Sequence, residues 1–106
     1  MSIAEILNKT GQTESMVLRE YLILTGLTKL SRYEAECSRF KKKYGEPLES
    51  FKNMLNQKRS EEDFEQEDDL MDWEFADAAL NWWQSRISEL RHDLYTQQVS
   101  IKITRN

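Results

Sequence analysis

At 106 residues the chain is long enough for one domain and too short for two with cores of their own. Charged residues make up 32% and hydrophobic ones 39%, with a mean hydropathy of -0.77, and no run approaches the roughly eighteen apolar residues of a membrane span. Three Gly and one Pro are sparse punctuation, which favours long helices over a many-turned β fold. The single Cys37 excludes an internal disulfide framework and fits a reducing cytosol. The start Met-Ser-Ile-Ala-Glu has no basic region followed by an apolar one, so a cytoplasmic protein without a signal peptide is expected.

Charge is divided unevenly. Residues 1–59 hold 11 Lys/Arg against 7 Asp/Glu, and residues 60–106 hold 4 against 12, within a net charge of -4. Segments of opposite sign attract when folded together, and the surplus of negative charge faces solvent or a partner.

In chain order, Ser2 with Glu5 three residues later has the form of a capping box. Ile3, Ile6 and Leu7 share a face, and Lys9 to Thr13 breaks the pattern, so residues 1–13 are read as a short helix or an arm. From Glu14 to about Lys43 there is no Pro and one Gly, Gly26. Met16, Val17, Leu18, Tyr21, Leu22, Ile23, Leu24 and Leu27 are apolar nearly all round, which predicts burial on several sides. Leu30, Tyr33, Cys37, Phe40 and Tyr44 then follow at steps of 3 and 4, which predicts packing on one side. Gly26 costs about 1 kcal/mol relative to Ala in a helix, and stands there either as a kink or as the close approach of a neighbouring helix. Lys41, Lys42 and Lys43 suit a helix C-terminus, and Gly45 supplies the stop.

Pro47 is placed to open the next helix, whose stripe is Leu48, Phe51 and Leu55. Ser60, with Asp63 three residues later, is placed to cap a final helix running from about Ser60 or Asp68 to Tyr95, with a break near Gln66 as one option. Ten of the seventeen residues from Glu61 to Asp77 are acidic and none is basic. Trp73, Ala76, Leu80, Trp83, Ile87, Leu90 and Leu94 recur at alternating steps of 3 and 4, the repeat of one helix pressed along another. Phe75 and Trp82 fall on a different face, together with Met71. The tail from Gln98 to Thr104 alternates apolar and polar residues with β-branched ones, the signature of a short strand. The expectation is therefore all-α: a long antiparallel helical hairpin, residues 14–44 against 68–95, with a short intervening helix and a short C-terminal β-strand. One helical domain spans 1–106, with an extended tail at 97–106.

Catalytic chemistry has little to draw on. His92 lies among charges on a helix, Cys37 lies on the apolar seam, and one of each makes a Cys/His zinc site impossible within one chain. Carboxylates are the abundant reactive type. Glu61–Glu65 has the letters of the EExxE element of helical nucleotide pyrophosphohydrolases and Glu74–Asp77 those of their ExxD element, which ligate Mg²⁺. The second element follows on the same helix here rather than on a facing one, so Mg²⁺-dependent hydrolysis ranks third among the readings. Arg39 to Lys43 with Phe40 and Tyr44 offers phosphate contacts, but a pI near 5.1 and the lack of a DNA-binding signature disfavour nucleic acid. No catalytic residue, metal or cofactor is expected, and protein recognition remains, since aromatics and Met are enriched in interface cores.

Leu30, Tyr33, Glu34 and Glu36, then Phe40, Lys43, Tyr44 and Gly45, then Phe51, and finally Phe64 with Asp68 to Glu74, resemble small prokaryotic antitoxins of type II toxin–antitoxin pairs, the TumA-like group in particular. The resemblance spans roughly residues 27–94. It implies a cytosolic neutraliser of a co-expressed toxin, an RNA-cleaving one, basic and encoded nearby. The chain departs from such proteins in carrying no recognisable DNA-binding module, which puts operon repression in doubt. A toxin of that kind presents cations to phosphates, and an acidic helix can occupy such a site as an RNA mimic with electrostatic steering. The partner-binding residues expected on this reading are Asp68, Asp69, Asp72, Trp73, Phe75 and Trp82. Val99, Ile101 and Ile103 join them if the tail strand extends the partner's sheet. The runner-up is a helical structural or adaptor subunit, a homodimer built through residues 16–27.

Overall fold

The computed structural model describes the backbone of residues 1–58 and 63–104, with side chains as far as His92. Four helices follow in order: α1 (Ile3–Thr10), α2 (Glu14–Tyr44), α3 (Leu48–Gln57) and α4 (Phe64–Thr104). The all-α expectation holds.

Local chemistry sets their ends. Ser2 Oγ accepts a hydrogen bond from the Glu5 amide at 3.2 Å, which makes Ser2 the N-cap of α1. The helix closes on Gly11 at φ 69°, where the Gly11 and Gln12 amides donate to the Asn8 and Leu7 carbonyls in a Schellman arrangement. Thr13 Oγ1 then accepts from the Met16 amide at 3.1 Å, starting α2 within two residues. Gly45, at φ 67°, donates its amide to the Lys41 carbonyl at 2.8 Å and ends α2. Pro47 stands at the N-cap position of α3, and its carbonyl accepts from the Phe51 amide. Asp63 Oδ1 accepts from the Gln66 amide at 3.2 Å, so α4 begins just beyond it and passes Gln66 without a break.

By packing, the chain divides into two compact units, residues 29–83 and residues 1–28 with 84–106. In the first, Phe40 of α2, Phe51 of α3 and Trp73 of α4 form the buried core, with Cys37, Tyr44, Leu48, Met54, Leu55 and Leu70 packed round it. Phe40 and Phe51 are fully buried. Their rings and that of Tyr44 cluster round the Trp73 indole at centroid distances of 5.6–6.4 Å, and Tyr44 lies on Phe51 at 4.0 Å. Aromatic pairs of this kind add about 0.5–1.5 kcal/mol each beyond the area they bury. Towards the end of α2, three contacts with α4 fall in opposite sequence order: Tyr44 meets Asp69 and Phe40 meets Trp73, while Cys37 and Asp77 line one cavity. The Trp73–Leu90 seam is covered at every described position, with Trp73, Ala76 and Ile87 buried and Leu80, Trp83 and Leu90 half-buried.

In the second unit, Gly26 and Ile87 are buried while Met16, Val17, Ile23 and Leu90 are half-buried. The expectation that residues 16–27 are covered on several sides is not met: Leu18, Tyr21, Leu22, Leu24 and Leu27 are exposed, as are Ile3 and Ile6. The chain buries one side of that helix and leaves the rest of its apolar surface to water.

The C-terminal strand and extended tail are corrected. The backbone is helical through Thr104, and no strand occurs among the described residues. Extending an existing helix fixes one residue per new hydrogen bond, with the costly nucleus already formed, whereas a lone strand closes no ladder at all. With a helical backbone, the tail offers no strand for a partner's sheet. The side chains of Val99, Ile101 and Ile103 lie outside those described.

Candidate functional site

The acidic run on α4 is split by helical geometry into two faces. Glu65 and Asp69, four residues apart, turn towards the end of α2. Lys43 Nζ donates to Asp69 Oδ2 at 2.6 Å and to Glu65 Oε1 at 2.8 Å, and the Tyr44 hydroxyl donates to the same Asp69 oxygen. The ammonium and the phenol together hold the Asp69 carboxyl below its usual pKa. Hydrogen bonds to the two carboxylates push the Lys43 ammonium up. Burial, then the Asp69 carboxylate, pushes the Tyr44 hydroxyl up. Asp69 is thereby engaged inside the fold, tying α2 to α4.

Asp68 and Asp72 point elsewhere. Both are exposed, and neither forms an ion pair among the described residues. Around them lies an apolar stripe that the fold does not cover: Phe64 is 69% exposed, Met71 71% and Phe75 65%, with Trp82 at 52%. With Asp68 and Ala78, both exposed, these residues are spaced 4, 3, 4, 3, 4. α4 thus carries two heptad seams, one covered by its own chain and one open. Phase alone separates Met71, Phe75 and Trp82 from the buried seam. The open seam is also legible in the sequence once Phe64 and Ala78 are included, but the longer Trp73–Leu94 repeat overshadows it.

Of the expected partner-binding residues, the structure brings Asp68, Asp72, Phe75 and Trp82 to one exposed region and takes Trp73 out of it. Trp73 is 3% exposed, its ring spent on the core, so it fixes how α4 sits rather than what α4 meets. Phe75 makes an edge contact with Tyr33 at 6.0 Å, and Trp82 stands edge-on to Trp83 at 5.0 Å. Both contacts restrain the rings while leaving much of their area in solvent.

Residues of the other readings are placed as follows. Glu61 and Glu62 lie outside the described residues. Glu74 pairs with Lys52 at 3.8 Å, and among the described residues no three acidic, His or Cys side chains gather to hold a metal. Arg39 lies over the Phe40 ring at 4.3 Å and Lys43 is held by its two carboxylates, so two cations of the basic cluster are already engaged. No helix among the described residues is long and apolar enough to cross a membrane.

Cys37, Ser38, Lys41, Leu48, Trp73 and Asp77 line a cavity of about 230 Å³. Burial, then the Asp77 and Glu36 carboxylates, push the Cys37 thiol up. Because the thiolate is the reactive form, alkylation of Cys37 at pH 7.5 is expected to run several-fold slower than that of free cysteine and to rise steeply with pH. A timed thiol-reagent assay on the folded chain checks this. Compared with models of protein families, with curated proteins and with solved structures, the chain matches none of them.

Proposed function

We propose that this protein is an antitoxin-like binding subunit that neutralises a basic, RNA-cleaving partner by presenting the acidic, aromatic face of α4 to it. The observation that carries the reading is the exposure of Met71 and Phe75 beside Asp68 and Asp72 on α4. Isolated exposed apolar residues are ordinary, but a contiguous stripe of large ones flanked by like charge is the form of an interaction site. The scaffold proposed for it is an antiparallel pairing of α2 with α4, supported by contacts that run in opposite order along the two helices. The resemblance of residues 27–94 to type II antitoxins supports the choice of partner.

On this reading Asp68 and Asp72 stand in for phosphates. They raise the association rate through steering, and burial of Phe75, Met71 and Trp82 slows dissociation. Asp69 and Trp73 act from within, one locking α4 to α2 and the other anchoring it in the core. The work is binding, with no bond made or broken.

The test is a growth assay with the basic protein encoded beside this one. Expressed alone, that protein is expected to arrest growth, and co-expression is expected to restore it. The Asp68→Lys, Asp72→Lys double variant is expected to fold normally and to lose the rescue. A harmless neighbour, or rescue undiminished by the double variant, removes the reading.

A further inference from the structure

We infer that the open seam of α4 is a docking site for one α-helix of a partner, a helix with a heptad apolar stripe and Lys or Arg along both its edges. This rests on the binding reading above and names the occupant of the same face.

Two observations select that occupant. The first is spacing. Phe64, Asp68, Met71, Phe75 and Ala78 follow the 4, 3 alternation of a helix–helix seam, whereas a docked strand requires side chains in register every second residue. All five are exposed, and Ala78 leaves room between the larger side chains for a knob from a facing helix.

The second is charge. In a coiled-coil seam the positions flanking the apolar stripe choose the partner. Here the flanking positions through the first two heptads of the seam are Glu65, Glu67, Asp72 and Glu74, all acidic. Glu65 and Glu74 already meet Lys43 and Lys52, which leaves Glu67 and Asp72 for a partner, with Asp68 inside the stripe itself. A charge within a seam fixes register, because only one alignment sets a cation against it. A second copy of this chain paired seam to seam in parallel would bring Asp68, Glu67 and Asp72 against their own kind, at a cost in repulsion, and paired antiparallel would leave Asp68 facing Ala78 with no cation. A basic helix satisfies all three.

The probe is a pair of synthetic amphipathic peptides of three heptads, with Leu at the seam positions and either Lys or Glu at the edges, the Lys form also carrying one seam Lys. Binding of each to the full chain is followed by fluorescence anisotropy at low and high salt. The Lys peptide is expected to bind at least tenfold more tightly than the Glu peptide, and more weakly as salt rises. The Met71→Ser, Phe75→Ser variant keeps the net charge and alters only exposed side chains, so helical content should persist by circular dichroism while affinity falls at least tenfold. Asp68→Lys with Asp72→Lys is expected to reverse the preference between the peptides. Equal binding of the two peptides overturns the inference, as does a Lys-peptide affinity indifferent to the serine variant, since that is charge attraction without a seam. Self-association abolished by the serine variant also overturns it in favour of a second copy. Peptide discrimination with failed growth rescue leaves the seam standing and removes the toxin; growth rescue without discrimination does the reverse.

Discussion

Phe40→Ala is expected to destabilise the chain by about 3–5 kcal/mol, the usual cost of emptying an aromatic site in a packed core. Phe40 has no exposed surface, and its ring faces that of Trp73 at 5.8 Å with the Arg39 guanidinium over it at 4.3 Å. Removing it takes away transfer energy, opens a cavity beside Trp73 and leaves Arg39 without its aromatic platform. Small domains are stable by about 5–15 kcal/mol in all, so a loss of this size should be plain in a urea titration followed by circular dichroism. Thermal unfolding should begin about 15 °C or more lower. Phe75→Ala is the control. Its ring is 65% exposed, and its loss should cost about 1 kcal/mol or less while acting on partner binding instead. Equal destabilisation by the two variants would contradict the division of α4 into a covered and an open face.

Asp69→Asn is the second large effect, at about 1–2 kcal/mol. The side chain of Asp69 is 16% exposed and accepts from both Lys43 and the Tyr44 hydroxyl, so the substitution removes the charge that both donors address. Its pH dependence has a definite sign. The Asp69 carboxyl is held below its ordinary value of 3.8, chiefly by the Lys43 hydrogen bond, so its stabilisation is present above about pH 4 and is lost as pH falls through the lowered value. Lys43 is raised above 10.5, so its share is complete below that pH and is lost only as alkali deprotonates it. Between pH 5 and 9 the gap between parent and Asp69→Asn should therefore be flat, and it should close on acidification below about pH 4. Unfolding midpoints measured across that range check it. Glu65→Gln should do little, because the Glu65 side chain is 74% exposed and ion pairs at such sites contribute little.

Much of the fold was legible because its signals are local. Gly11 and Gly45 end helices, Ser2 begins α1, and Pro47 opens α3 from its cap position, while the N-cap of α4 is Asp63, three residues beyond the expected Ser60. Heptad spacing carried the covered seam from Trp73 to Leu90. Three things were not legible. Periodicity shows that a residue lies on an apolar face, not whether that face finds a neighbour, so the exposure of Leu18, Tyr21 and Leu24 could come only from the structure. Alternation in the tail had no way to weigh strand preference against the small cost of prolonging a long helix that already runs from Phe64. The acidic run read as one patch because the cross-helix partners of Asp69, Lys43 and Tyr44, lie more than twenty residues away in sequence. For the candidate site, the sequence grouped Phe75, Trp82 and Met71 but counted Trp73 with them, although its seam position already pointed inward.

Two of the three tryptophans of α4 serve this molecule as built-in optical probes. Trp73, enclosed by Phe40, Phe51 and Tyr44, emits from a dry aromatic nest and reports whether the three-helix packing is intact. Trp82, half in water, reports whether the neighbouring surface has been covered. Unfolding should therefore move the blue edge of the emission to the red, while docking should move the red edge to the blue, so the two events carry opposite spectral signs in one unlabelled sample.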